Sequence, residues 1–152
     1  MNVEILTSAF DPWARLLDYQ HAVVDTVRGY GATAVFVGTM RDYNDGRAVS
    51  HMHLDYYPGM TEKQIEKILA QAAQQWDLID VLVTHRVGDL QPSDPIVLVA
   101  VWSAHRADAF EASRFVMEKL KSEAPFWKQE MTTSGTHWVE KNTRGYTAPD
   151  RE

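Results

Sequence analysis

The spacing of apolar positions changes along the chain and marks out its elements. After Asp11-Pro12-Trp13, the residues Leu16, Leu17, Ala22, Val23, Val24 and Val27 predict a short helix entered through Pro12 and ending near Gly29 or Gly31. Thr33 to Gly38 is a compact β-branched and aromatic run. Asn44-Asp45-Gly46 is a turn leading to a second strand near Val49 to Tyr57, so two strands joined by a polar loop are expected. Thr61-Glu62-Lys63-Gln64 has the form of a capping box, and Ile65, Ile68, Leu69, Ala72 and Trp76 then recur at helical spacing. Val81 to Val87 and Ile96 to Trp102 predict strands separated by Gln91-Pro92-Ser93-Asp94-Pro95, whose prolines do not belong to a central ladder. The second run is almost wholly apolar and reads as buried on both faces. A second long helix is expected from Ala104 to Glu123. Pro125 stops it, because the residue before a proline is pushed out of the α region. Phe126 to Thr132 and Thr136 to Glu140 predict a closing hairpin across Ser134-Gly135.

Bulk properties narrow the class. The 152 residues are 45% hydrophobic and 24% charged, which fits one ordinary globular domain over 1–141, followed by a polar tail over 142–152 that is expected to be loose. Cysteine is absent, which excludes a disulfide framework, a thiolate metal site and a cysteine nucleophile of the chain's own. Met1-Asn2-Val3-Glu4-Ile5 has neither a basic nor an apolar leader pattern, and no apolar run nears the roughly eighteen residues of a membrane span, so a cytoplasmic location is expected. A net charge of −6 argues against a nucleic-acid binder working by phosphate neutralisation. It permits a local cationic pocket, and convergence of a few Lys and Arg would point to a small anionic ligand.

Several residues are candidates for chemistry, each with a plainer reading beside it. His105 and Arg106 fall in the first turn of the second long helix, with Ser103 as N-cap. An arginine there is disfavoured by about 0.3–1 kcal/mol unless an anion accompanies it. Binding an anion and pairing with Asp108 or Glu111 both resolve this. Lys121 follows Phe110 by eleven residues and Met117 by four, so the three project in nearly one direction, whereas Lys119 points away. An ammonium over apolar surface is either partly desolvated and reactive, or a snorkelling lysine with its head in water. Alternation places Phe126, Lys128 and Glu130 on one strand face, with Trp127 and Gln129 on the other. Arg41, just past Thr39-Met40, reads equally as a solvated strand-end residue. His51, His53 and Asp55 share a strand face, and a half-exposed strand is a simpler reading than a metal site, which needs ligands that converge in space. No nucleophile elbow or phosphate-cradling glycine loop is present.

Taken in order, Gly31-Ala32, Phe36-x-Gly38-x-x-Arg41, Tyr57-Pro58-Gly59-Met60, His85-Arg86-Val87-Gly88, Ser103-Ala104-His105-Arg106 and Leu120-Lys121 through Ala124-Pro125-Phe126-Trp127-Lys128-Gln129-Glu130 form a pattern. It resembles that of the MoaE family, the large catalytic subunits of molybdopterin synthase, from about Gly31 to Trp138. The resemblance implies an α+β, α/β-hammerhead-like fold: a largely antiparallel sheet, two main amphipathic helices and a C-terminal hairpin. It implies a sulfurtransferase that converts cyclic pyranopterin monophosphate (precursor Z) into the molybdopterin dithiolene during molybdenum cofactor biosynthesis. The sulfur would come from the C-terminal thiocarboxylate of a small ubiquitin-like (MoaD-like) carrier. The assembly implied is a homodimer of large subunits with a carrier at each end, a heterotetramer, with no cofactor or metal of its own. By position, the resemblance makes Lys121 and Lys128 catalytic and Thr39, Met40, Arg41, His105, Arg106, Gln129 and Glu130 substrate-binding. Met40 stands where the family usually has a small β-branched residue, and Tyr56 where it often has histidine. A non-catalytic module that docks a partner's C-terminal tail on the Phe126-Trp127 strand, and a metal-dependent hydrolase using His51 and His53, are the competing readings.

Overall fold

A computed structural model describes residues 1–139 and Gly145. The expected tail over 142–152 and the end of the hairpin at Glu140 lie outside the described residues, Gly145 apart.

Strand β1 (Asn2–Leu6) leads to helix α1 (Pro12–Tyr19). Asp11 caps this helix, its carboxylate accepting from the backbone N–H of Trp13 at 2.9 Å and of Ala14 at 3.2 Å. The helix widens into a π-helical segment, Gln20–Val24, which the apolar spacing does not reveal, and ends with a turn at Asp25–Val27. There follow β2 (Ala32–Thr39), β3 (Tyr43–Asn44), β4 (Arg47–Tyr56), α2 (Met60–Gln75), β5 (Leu78–Arg86), β6 (Gly88–Leu90), β7 (Pro95–Ser103), α3 (Arg106–Glu123), β8 (Phe126–Thr132) and β9 (Gly135–Trp138). The mixed α+β class expected from the sequence is the one observed. No helix among the described residues is long and apolar enough to cross a membrane.

The strands form two sheets. The first has the order β1-β5-β7-β2, with β1 parallel to β5 and the other pairs antiparallel. Its central strands are buried on both faces. Val81, Val83, Val97, Val99 and Val101 pack on Ile65, Ile68 and Leu69 of α2 and Val116 and Leu120 of α3. The alternate residues Leu82, Leu98, Ala100 and Trp102 meet Tyr19 and Val24 on the opposite face. Each such large apolar side chain removed from water contributes about 1.5–3 kcal/mol before its entropy cost. The second sheet runs β3-β4-β8-β9, with β6 also paired to β4, over a smaller core of Met40, Val49, Met52, Leu54, Val87 and Leu90. The strands expected on either side of the polar loop therefore lie in different sheets. Asp45 and Gly46, both with positive φ, make the turn that pairs β3 with the start of β4.

Two helix starts differ from the sequence reading. Helix α2 is capped at Gly59, whose N–H donates to Glu62 Oε2 at 2.6 Å. Thr61 is fully buried. Its hydroxyl accepts from the Tyr57 N–H and donates to the Pro125 carbonyl, which ties the start of α2 to the start of β8. Helix α3 starts one residue after His105, the N-cap, which makes no side-chain capping bond. Ser103 belongs to β7. Its hydroxyl donates to the Asp77 carbonyl at 2.9 Å and accepts only a long 3.4 Å contact from the N–H of His105, the residue that takes the N-cap position.

Candidate active site

Pro125 does more than end a helix. Ala124, forced to extended backbone (φ −75°, ψ 131°), turns the chain directly from α3 into β8. Lys121 in the last turn of α3 and Lys128 in β8 therefore face one cavity of about 270 Å³. The end of β2 and the residues after it supply Thr39, Met40 and Arg41. Strands β3 and β4 add Tyr43, Asn44, Met52 and Leu54; β5 adds His85; α3 also gives Met117 and Leu120; and β8 gives Phe126 and Glu130.

The charges of this cavity are unbalanced. Arg41, Lys121 and Lys128 face it, and Glu130 is its one carboxylate among the described residues. Glu130 is only 7% exposed and fully engaged: Lys128 Nζ lies 3.2 Å from Oε1, and the Asn44 amide donates to both oxygens at 3.0 and 3.1 Å. A concentrated positive site thus stands in a chain of net charge −6. Lys121 keeps more than a third of its surface in contact with solvent, but its ammonium sits in the crowded cavity mouth. Desolvation, then repulsion from Lys128 and Arg41, holds its pKa below the ordinary lysine value, against a smaller opposing effect of Glu118. More of the amine is therefore available as base or nucleophile at neutral pH than for a free lysine.

Arg41 is held from behind. The neighbouring Met40 is 5% exposed and exchanges two backbone hydrogen bonds with the 91–94 turn: its N–H donates to the Asp94 carbonyl at 2.9 Å, and its carbonyl accepts from Ser93 at 2.8 Å. The Asp94 carboxylate accepts in turn from Arg86 Nη1 at 3.1 Å and the Gln91 N–H at 2.9 Å. The proline-rich connection seen in the sequence is therefore a braced support for the Thr39-Met40-Arg41 segment.

Of the residues singled out in the sequence, Thr39, Met40, Arg41, Lys121, Lys128 and Glu130 come together here. Gln129 is half-buried on the other face of β8 and does not line the cavity. His105 and Arg106 are exposed at the far end of α3; fifteen residues separate Arg106 from Lys121, about 22 Å of helix at 1.5 Å per residue. Arg106 has no ion pair with Asp108 or Glu111 among the described residues, and Glu111 instead accepts from the Trp76 indole N–H at 3.0 Å. The stripe read along α3 is apolar only in part, since Met117 lines the cavity while Phe110 is 65% exposed.

In the sequence His85 stands out only through its place in the His85-Arg86-Val87-Gly88 run. Its ring stacks on Phe126 at 4.0 Å between centroids and 15° between planes, and its Nδ1 lies 2.8 Å from the Arg86 carbonyl. Desolvation, with a smaller contribution from the Lys121 charge, pushes its pKa down to about 4. The signal available was its position next to the end of an otherwise buried strand. His51 and His53 form no cluster able to hold a metal ion among the described residues. His53 bridges Asp89 at 2.7 Å and Asp55 at 3.0 Å across β4 and β6.

Fold and site together describe a cationic cavity built on one sheet-to-helix-to-strand corner, and comparison with known proteins places it. The MoaE protein family pattern matches residues 13–123. The molybdopterin synthase catalytic subunit of Ralstonia nicotianae is 61% identical over 110 residues, which cover 72% of this chain and 62% of that protein's length. The one from Pseudomonas aeruginosa is 46% identical over 151 residues, covering 99% of this chain and 98% of that protein. The crystal structure of molybdopterin synthase from Staphylococcus aureus is 30% identical and superposes with a TM-score of 0.80, covering 91% of this chain and 96% of that one. The chain belongs to the MoaE protein family.

Proposed function

We propose that the chain is the catalytic subunit of molybdopterin synthase. It transfers two sulfurs from the C-terminal thiocarboxylate of a small ubiquitin-like carrier to cyclic pyranopterin monophosphate, forming the molybdopterin dithiolene in the cytoplasm. The observation that carries this reading is the convergence of Arg41, Lys121 and Lys128 on one cavity in a cysteine-free acidic chain. Such a site suits an anionic substrate, and the chain has no thiol to donate sulfur, which fits sulfur arriving on a partner. Both relatives are named as catalytic subunits, which is the name of a protein working in an assembly.

Arg41 grips the phosphate through charge-assisted hydrogen bonds and orients the carbons to be thiolated. Lys121, with its lowered pKa, serves as acid–base or as transient acyl acceptor when the thiocarboxylate enters. Lys128, oriented by Glu130 at 3.2 Å, stabilises developing negative charge. His105 and Arg106 act on this substrate from a second copy of the chain, because about 22 Å of helix separates Arg106 from Lys121 within one copy. That geometry supports a homodimer of large subunits.

The exposed edge-on pair of Tyr57 and Trp127, 4.3 Å apart, favours a second reading, in which β8 only docks a partner's tail. Both readings predict carrier binding and only the first predicts turnover. The test mixes the chain with thiocarboxylated carrier and precursor Z and measures dithiolene product. Carrier binding without product would favour the docking module. Mixing inactive Lys121→Ala and Arg106→Ala chains should restore part of the activity if the second copy contributes; no restoration would remove Arg106 from the partner's site.

A further inference from the structure

Beyond the residues already placed in the reaction, one residue lining the cavity carries an acceptor that no group among the described residues uses. A carbonyl only accepts, so the 2.8 Å contact between His85 Nδ1 and the Arg86 carbonyl requires Nδ1 to carry the hydrogen, which leaves the lone pair of the neutral ring on Nε2. Stacking on Phe126 fixes the plane of the ring. Among the described residues Nε2 has no hydrogen-bond partner, and Arg86 Nε is the one sealed, unpartnered side-chain nitrogen or oxygen. The Nε2 lone pair is therefore open, on a residue that lines the cavity.

We propose that His85 orients the substrate by accepting, through Nε2, a hydrogen bond from one of its ring N–H or O–H groups. The inference rests on the function proposed above. Its argument is one of donors and acceptors. Arg41, Lys128 and the protonated form of Lys121 only donate, and they suit the anionic part of a ligand, which at neutral pH offers acceptors. Glu130 is already taken by Lys128 and Asn44. The Thr39 and Tyr43 hydroxyls turn to suit either kind of partner and so enforce no polarity. His85 is a fixed acceptor, and a ligand that set its phosphate oxygens against this lone pair would be disfavoured. Burial and the nearby Lys121 charge keep the ring neutral at physiological pH, so it stays an acceptor.

The test uses the full chain with its thiocarboxylated carrier and two variants. His85→Phe keeps a ring to stack on Phe126 and removes both nitrogens; His85→Gln restores an acceptor close to the Nε2 position. His85→Phe should weaken precursor Z binding about tenfold while carrier binding is unchanged, and His85→Gln should recover most of the loss. Equal substrate affinity in wild type and His85→Phe would overturn the inference, as would equal weakening by both variants, which would mean the ring acts only by packing. A readout that needs no variant is the imidazole 15N spectrum of the wild type. It should show an unprotonated Nε2 whose resonance shifts upfield when precursor Z is added; a resonance that does not move on saturation overturns the inference. Wild type that binds no precursor Z would overturn the function reading and this inference with it. Wild type that binds and turns over, with His85→Phe unimpaired, would overturn this inference alone.

Discussion

Glu130 is the counterweight of the cationic cavity, and its removal has a consequence that can be worked from the structure. The carboxylate is 7% exposed and accepts two contacts from the Asn44 amide and one from Lys128, whose side chain is 28% exposed. Glu130→Ala strands both partners. Deleting one member of a fully buried pair costs about 3–5 kcal/mol. The partial exposure of Lys128 lets water recover some of that, so about 2–3 kcal/mol is expected. Glu130→Gln keeps the shape and one acceptor for Asn44 while removing the charge, and should cost about 1–2 kcal/mol. Urea unfolding gives both values directly, with an unchanged m-value showing that the compactness of neither state has altered. The substitution should also move chemistry. With that negative charge gone, the repulsion among Arg41, Lys121 and Lys128 is less offset, the Lys121 pKa falls further, and the rising limb of the pH–rate profile, set by deprotonation of Lys121, shifts to lower pH. A loss of less than about 0.5 kcal/mol in both variants, with an unshifted profile, would refute the view of Glu130 as a buried counter-ion.

Two further outcomes follow from the supports of the site. Asp94→Ala removes the acceptor for Arg86, whose side chain is 12% exposed, and for the Gln91 N–H; about 2–3 kcal/mol of stability should go, and the slackened turn should raise KM for precursor Z more than it lowers kcat, which steady-state kinetics would show. His53 has a pKa raised first by its hydrogen bond to Asp89 and then by that to Asp55. Its folded value lies above its unfolded one, so its contribution is full below about pH 6.5 and lost as pH rises through the folded value. The side chains are 40%, 89% and 56% exposed for His53, Asp89 and Asp55, so screening limits the contribution to a few tenths of a kcal/mol. His53→Gln should therefore be less stable than wild type at pH 5.5 and equal to it at pH 9 in chemical denaturation.

The parts of this structure that could be read in advance are those where local pattern and tertiary packing agree. Asp11 before Pro12, the helical recurrence of Ile65, Ile68, Leu69 and Ala72, and the unbroken apolar run of β7 each have a single low-energy use, and the fold uses them so. Thr61 shows where local reading fails. Its hydroxyl suits an N-cap, but a tertiary bond to the Pro125 carbonyl claims it, and the cap moves to Gly59. In the site, helical phase separates Lys121 from Lys119, and strand alternation puts Lys128 beside Glu130, but neither pattern says that the two lysines share a cavity. That depends on the corner at Ala124, which joins the two periodicities. His105 and Arg106 mark the limit from the other side: sequence order groups them with Lys121 on one helix, and the length of that helix holds them apart. His85 was hidden because a histidine in a buried strand looks like a core residue until the stack on Phe126 and the open Nε2 are seen.

The central claim is that Lys121 carries out chemistry in this cavity. The measurement that tests it most directly is the single-turnover rate of dithiolene formation from precursor Z and thiocarboxylated carrier, compared between wild type and Lys121→Ala at saturating concentrations of both. A fall of at least about a hundredfold, with precursor and carrier still bound, is the predicted result. Equal rates in the two proteins would contradict it.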